Sequence, residues 1–331
     1  ISLLPNYSKI FERLMYSRLI SFITKYKLLS PAQYGYQANM STELAVNEII
    51  NNVIKTFETK ESAYCIFLDF AKAFDTVNHK ILIKKLEYYG IRGKPIEWFI
   101  SYLYLSYYNR QQYTEINSYL STPDNIRCGV PQGSILGPLL FLLYINDITA
   151  SSKILKFILF ADDTSSYYSG KPSSTLNQTI NNKLFKVNDW LNCNKLSLNI
   201  KNSCYLNFSL LPKHNEIPLK ISNKPLGIKN CTKYLGVLID DKLSWKEHIQ
   251  NINLKIRKGI GMINKLKNEV TKSTLRSLYY SFIYPYLDYN IINWSNAPKT
   301  TLNCLRKSNR KAIKTILSAN NNAHIPPLFK E

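Results

Sequence analysis

The chain has 331 residues, 45% of them hydrophobic, with 43 Lys and Arg against 22 Asp and Glu, a net charge of +21. That surplus points to a polyanionic partner, most simply nucleic acid, with Lys-rich drift as the plainer source of the same charge. Six cysteines without a C-x-x-C pair argue against a zinc site and a disulfide framework.

Residues 9–28 have helical spacing of apolar positions, and a second helix is expected over Ser41–Phe57 with Ser41 as N-cap. "AYCIFLDF", Ala63–Phe70, reads as a buried strand. "KILIKKLEYYG" reads as a helix stopped by Gly90, and another helix is expected from Pro95 to about Tyr108. A Gly/Pro-rich loop, "CGVPQGS", leads into the apolar run Ile135–Ile145, which is too short to span a membrane. Strand, "ADDT" and strand follow, then a helix over about Ser173–Asn194. Short strands are expected at "CYLNFSL", "IPLKI" and "KYLGVLID". A long basic helix starts at Trp245, a Tyr-rich helical region continues to about Tyr289, and the tail "SANNNAHIPP" reads as loose. No signal peptide is visible. Beginning at Ile1 without Met, the chain reads as a fragment of something longer. The elements make one connected body of mixed α and β structure.

The chemistry gathers at three carboxylates. Asp162 and Asp163 form a turn between two strand-like runs, and most Asp pairs in turns are simply solvated. Asp69, at the end of the apolar strand "CIFLD", shifts the balance. Apolar strands that each end in Asp can hold hard divalent cations such as Mg²⁺ through oxygen ligands. Two such ions, about 3.5–4 Å apart, activate an attacking hydroxyl and stabilise a leaving oxygen in phosphoryl transfer.

These residues sit in a longer ordered set. "ISLLPNYSKIFERLM" and "QYGYQANMSTELAV" resemble the finger motifs of non-LTR (LINE-type) retrotransposon reverse transcriptases. "FLDFAKAFDTVNH" resembles polymerase motif A, "GVPQGSILGPLLF" motif B and "FADDT" motif C. "NKLSLNIKNSCYLNF" resembles motif D, and "KYLGVLID" the primer grip. The resemblance covers nearly the whole chain. It implies an α+β right-hand polymerase fold: fingers over 1–62, palm over 63–240 with a helical insertion at about 80–125, and a helical thumb and tail over 241–331. It implies an RNA-directed DNA polymerase that adds dNTPs to a primer 3′-hydroxyl, with an RNA template, a DNA primer and two Mg²⁺ ions, or Mn²⁺ in their place.

Residue by residue, the resemblance makes Asp69 and Asp162 the main metal ligands, with Asp163 the third catalytic carboxylate. It places Phe70, Phe74, Gln132, Gly133 and Lys201 at the nucleotide, with Phe74 excluding a ribose 2′-hydroxyl. Phe74 thus argues against an RNA-directed RNA polymerase. Asp75 is expected to cap or orient the helix that follows. Lys246, Lys255, Arg257 and Lys258, on the basic helix with an apolar stripe of Ile249, Ile252, Ile256, Ile260 and Ile263, are expected at the nucleic-acid backbone. The Tyr residues at 279, 280, 284, 286 and 289 are expected to pack within the thumb. Two positions depart from the pattern: Asn202 stands where motif D carries a lysine, beside Lys201, and Gln37 stands where Arg is common. These departures favour the alternative of an inactive, nucleic-acid-binding remnant. The resemblance implies a nuclear and/or cytoplasmic protein, without a membrane segment.

Overall fold

Strand β1, Ser62–Leu68, is buried along its whole length, and this sets the architecture. Successive side chains leave a strand on opposite faces. Tyr64, Ile66 and Leu68 therefore enter one core, and Ala63, Cys65 and Phe67 enter another. A strand covered on both faces needs a continuous apolar run rather than alternation, which is what "AYCIFL" supplies.

The computed structural model describes residues 5–105, 111–112, 115–117, 119–122, 124–125, 128–171, 175–209 and 217–319. Among these, β1 is the middle strand of a five-stranded sheet ordered β5-β4-β1-β3-β2. The others are β2 (Lys156–Phe160), β3 (Asp163–Gly170), β4 (Cys204–Phe208) and β5 (Gly227–Ile228). Only β4 and β5 pair in parallel. Helices α1 (Asn6–Tyr26), α3 (His79–Tyr88), α4 (Lys94–Ile100), α5 (Leu136–Ile145) and α6 (Leu176–Cys193) cover one face. Helix α2 (Thr42–Glu58) covers the other, together with the C-terminal helices α7 (Lys246–Leu266), α8 (Lys272–Phe282), α9 (Tyr284–Asp288), α10 (Ile291–Trp294) and α11 (Lys299–Ile316).

Helix α5 is apolar on every side because it is buried on every side. Its free N-terminal amides are met from another element. Glu12 of α1, only 2% exposed, accepts from the Ile135 N–H at 2.6 Å and the Leu136 N–H at 3.4 Å. The Tyr102 hydroxyl donates to the other Glu12 oxygen at 3.0 Å.

Several expectations shift. Ser41 caps α2 as expected, accepting from the Leu44 N–H. Asp75 does not cap α3; Asn78 does, accepting from the Ile81 N–H. Helix α1 stops at Tyr26 because Lys27 turns left-handed at φ 50°. Helix α4 ends at Ile100 and continues as a π-turn over Ser101–Leu105; residues 106–108 lie outside the described residues. Helix α6 begins at Leu176, with 173–174 outside them. "CYLNFSL" is strand only through Phe208, and "IPLKI" only at Lys220–Ile221. "KYLGVLID" is not one strand: β6 (Cys231–Tyr234) and β7 (Val237–Asp240) form a hairpin around Leu235 and Gly236, at φ 42° and 83°. Helix α11 precedes the expected loose tail, of which residues 320–327 lie outside the described ones. Among the described residues no helix is long and apolar enough to cross a membrane.

Candidate active site

The sheet register brings the carboxylates together. Leu68 of β1 faces Thr164 of β3, so the next residues out, Asp69 and Asp163, fall opposite each other. Phe160 pairs with Asp163, leaving Ala161 and Asp162 as the turn of the β2–β3 hairpin. Ala161 takes a left-handed φ of 55°, which an L-residue with a Cβ adopts only when its surroundings hold it there.

What holds it is the 32–37 segment. Gln33 is fully buried, and its Oε1 accepts from the Ala161 N–H at 3.2 Å and the Gly35 N–H at 2.8 Å. On either side the Leu159 N–H donates to Ala32 O and the Tyr34 N–H to Leu159 O, at 2.8 and 2.7 Å. A Cβ on Gly35 would stand 2.5 Å from the Ala161 nitrogen, so this backbone approach requires glycine. Gln37 belongs to the same clamp, donating its amide to Gln33 O at 2.7 Å.

A second clamp holds Asp69. The Asn199 N–H donates to Asp69 O at 2.8 Å, and the Asp69 N–H donates to Ser203 Oγ at 3.0 Å. The Ala71 N–H donates to Ser197 O at 2.9 Å. Asn202 Nδ2 donates to the Asp69 carboxylate Oδ2 at 2.9 Å. Asp69 and Asp163 share a cavity of about 170 Å³ with Asn202, Thr232, Lys233 and Tyr234. The Asp163 carboxyl is pushed above the usual carboxylate range, first by partial desolvation and then by Asp162 and Asp69. The three acidic groups thus act on one another.

The donor chemistry fits a hard divalent cation, since all three side chains offer oxygen. The arrangement is open: among the described residues no three His, Cys, Asp or Glu side chains converge on one metal position. Partial desolvation and, after it, the mutual repulsion that raise the Asp163 pKa both favour a cation at this site.

The 128–133 loop is laced onto the segment that follows Asp69 in the chain. The Val130 N–H donates to Phe74 O and the Gly129 N–H to Val77 O, both at 2.8 Å. His79 Nε2 meets Gly129 O at 2.6 Å, and burial lowers the His79 pKa. Gly129 and Gly133 both take a positive φ, near 100°. Gln132 and Gly133 are exposed, and Gln132 Nε2 donates to the Asp75 carboxylate at 3.2 and 3.3 Å. That is the place Asp75 takes instead of a helix cap. The Phe74 ring lies 4.7 Å from the Phe141 ring, partly exposed. Phe70 follows Asp69 in the chain, yet its ring is buried in the core. Lys201 is exposed on the turn that carries Asn202.

On α7 the expected isoleucine stripe is the buried one, and Lys246, Lys255, Arg257 and Lys258 are exposed. Lys255 Nζ sits 5.0 Å from the Tyr286 ring centre. Tyr279 packs as expected, bonding Asn309, whereas Tyr289 is exposed and reaches outside 241–331 to Thr42 Oγ1 and Leu235 O. Tyr280 remains 51% exposed and Tyr284 42%. Sequence reasoning missed Gln33, Gly35 and Ser203 as holders of the carboxylates. The finger motif "QYGYQ" carried the signal for the first two.

The sequence pattern described as reverse transcriptase (RNA-dependent DNA polymerase) matches residues 1–239. The chain belongs to that family. It is 28% identical over 329 residues to the probable RNA-directed DNA polymerase from transposon X-element of Drosophila melanogaster, covering 96% of this chain and 35% of that protein. It is 26% identical to the RNA-directed DNA polymerase from mobile element jockey of the same species, again with 96% and 35% covered. The chain thus spans about a third of the length of these curated relatives. Apo telomerase from Candida tropicalis superposes with a TM-score of 0.50 at 12% identity, over 93% of this chain and 50% of that one. The fold is the α+β right-hand polymerase fold, and the expected kinship with non-LTR retrotransposon reverse transcriptases holds. Reverse transcriptases of this family use divalent metals.

Proposed function

We propose that this chain is the polymerase part of a non-LTR retrotransposon protein, an RNA-directed DNA polymerase extending a DNA primer on an RNA template with dNTPs. The observation that carries this reading is the register that sets Asp69 opposite Asp163, with Asp162 at the adjoining turn. Asp69 and Asp162 would hold the metal, with Asp163 as the third carboxylate. Two Mg²⁺ ions, or Mn²⁺, would supply activation of the primer hydroxyl and charge neutralisation at the leaving pyrophosphate. The chain's own work is to position. Gln33 fixes the Asp162 turn, and the 197–203 segment fixes Asp69. Phe74 sets the floor of the sugar pocket, with Gln132 and Gly133 beside it, while Phe70, its ring buried, and Lys201 border this pocket through the segments that carry them. Lys246, Lys255, Arg257 and Lys258 lie along the duplex backbone. In this reading residues 1–62 belong to the fingers, 63–240 to the palm with an insertion at about 80–125, helical in α3 and α4 but carrying short paired strands at 111–112 with 124–125 and 115–116 with 119–120, and 241–331 to the thumb and C-terminal tail. The protein works in the nucleus and/or the cytoplasm.

Asn202 favours a second reading, in which an inactive remnant keeps the nucleic-acid surface without the chemistry. Primer extension by the wild-type chain, compared with Asp69→Asn and Asp162→Asn, separates the two. The first reading expects extension that falls at least a thousandfold in each variant, with melting unchanged. Tight primer–template binding without any extension by the wild type would select the remnant.

A further inference from the structure

We propose that Asn202, standing where the family pattern carries a lysine, is a positioning residue that fixes the Asp69 carboxylate for a divalent cation. The inference rests on the polymerase reading above. Its basis is the clamp of residues 197–203 around Asp69, whose backbone N–H and C=O are both bound by that segment. Ser203 Oγ, which accepts from the Asp69 N–H, itself donates to Asn199 O at 3.0 Å. The Asn202 and Ser203 N–H groups also donate to Asn199 O, closing the turn. The Asn202 amide is therefore presented by a closed turn, and it reaches Asp69 Oδ2 at 2.9 Å.

A primary amide donates hydrogen bonds and has no proton to give up near neutral pH. Asn202 therefore cannot protonate a leaving pyrophosphate. It also brings no positive charge against Asp69. A lysine ammonium in its place would pair with the carboxylate and compete with a cation for it. The amide takes one lone pair of Oδ2 and leaves Oδ1 free, which suits a carboxylate that must still ligate. Partners of this kind orient metal-binding side chains, and their loss costs about 10–100-fold in metal affinity.

The test titrates Mn²⁺ into the 331-residue protein and counts free ion by electron paramagnetic resonance. Wild type, Asn202→Ala, Asn202→Gln and Asp69→Asn are compared. The expected result is binding weakened about tenfold or more in Asn202→Ala, partly recovered by the amide of Asn202→Gln, and weakest in Asp69→Asn. In primer extension, Asn202→Ala should raise the Mg²⁺ needed for half-maximal rate and regain the wild-type rate at saturating Mg²⁺. Wild-type affinity in Asn202→Ala, with binding lost in Asp69→Asn, would overturn the role of Asn202 and leave the metal site standing. A wild type that binds no Mn²⁺, or an Asp69→Asn variant that binds it normally, would overturn the polymerase reading and this inference with it.

Discussion

Two adjacent carboxylates at a solvated turn cost little in water, so Asp162 and Asp163 are uninformative until a third acid stands beside them. The end of β1 supplies it, and that much was legible: an apolar strand ending in Asp69 and a hairpin turn at Asp162 and Asp163, although Asp163 is the first residue of β3 rather than part of the turn. The clamps were not. The Asn202–Asp69 bond joins residues 133 apart in sequence, and the Gln33–Ala161 bond residues 128 apart. The first leaves no local pattern, and the motif "QYGYQ" marks Gln33 without marking its partner. Asp75 was misassigned for the same reason, because its partner Gln132 arrives from another segment. Phe74 gives the sharpest prediction at this scale. In the proposed site its ring, packed 4.7 Å from that of Phe141, would exclude a 2′-hydroxyl. Phe74→Val should cut discrimination between dNTP and rNTP by at least about tenfold, a difference of about 1.4 kcal/mol. Single-nucleotide incorporation with each substrate measures it; unchanged discrimination would remove Phe74 from the sugar pocket.

Among the elements, α5 shows how a wholly apolar helix is kept in place. Its composition made the helix legible, whereas its cap comes from Glu12, more than a hundred residues away. Glu12→Ala leaves the half-buried N–H of Ile135 and the buried N–H of Leu136 without their acceptor. A stability loss of about 2–3 kcal/mol is expected, seen as a lower unfolding midpoint. The β6–β7 hairpin was illegible because its turn uses Leu235, a bulky residue at positive φ, ahead of Gly236. Helix α7 was legible in full, since a stripe of isoleucines at helical spacing leaves its cations outside. If that face lies on the duplex, removing Lys255, Arg257 and Lys258 together should weaken primer–template binding irrespective of sequence. The dependence of log affinity on log salt should flatten by up to about one per lost phosphate contact. An unchanged slope would turn the face towards solvent.

Across the whole molecule, two cores meet at one sheet, and the C-terminal helices join the core that also packs α2. His248 sits inside that junction, 4% exposed, between the rings of Trp245 and Trp294. Its Nδ1 accepts from the Leu238 N–H, and burial, then Lys255, lower its pKa to about 4. A histidine kept neutral by the fold takes up its proton more readily once unfolded. Its contribution is therefore complete above the unfolded pKa of about 6.5 and is lost as pH falls towards 4. That window should cost about 2–3 kcal/mol in the wild type, and His248→Gln should flatten it. Unfolding measured from pH 7 to 4 decides the point. The central claim concerns the three acids of the proposed metal site. The direct measurement is Mg²⁺-dependent dNTP incorporation on an RNA template with a DNA primer, beside an Asp162→Ala/Asp163→Ala variant. Extension by the wild type that needs Mg²⁺ and vanishes in the variant is the predicted result. Extension that survives in the variant would contradict the placement of the metals, and none by the wild type would contradict the activity itself.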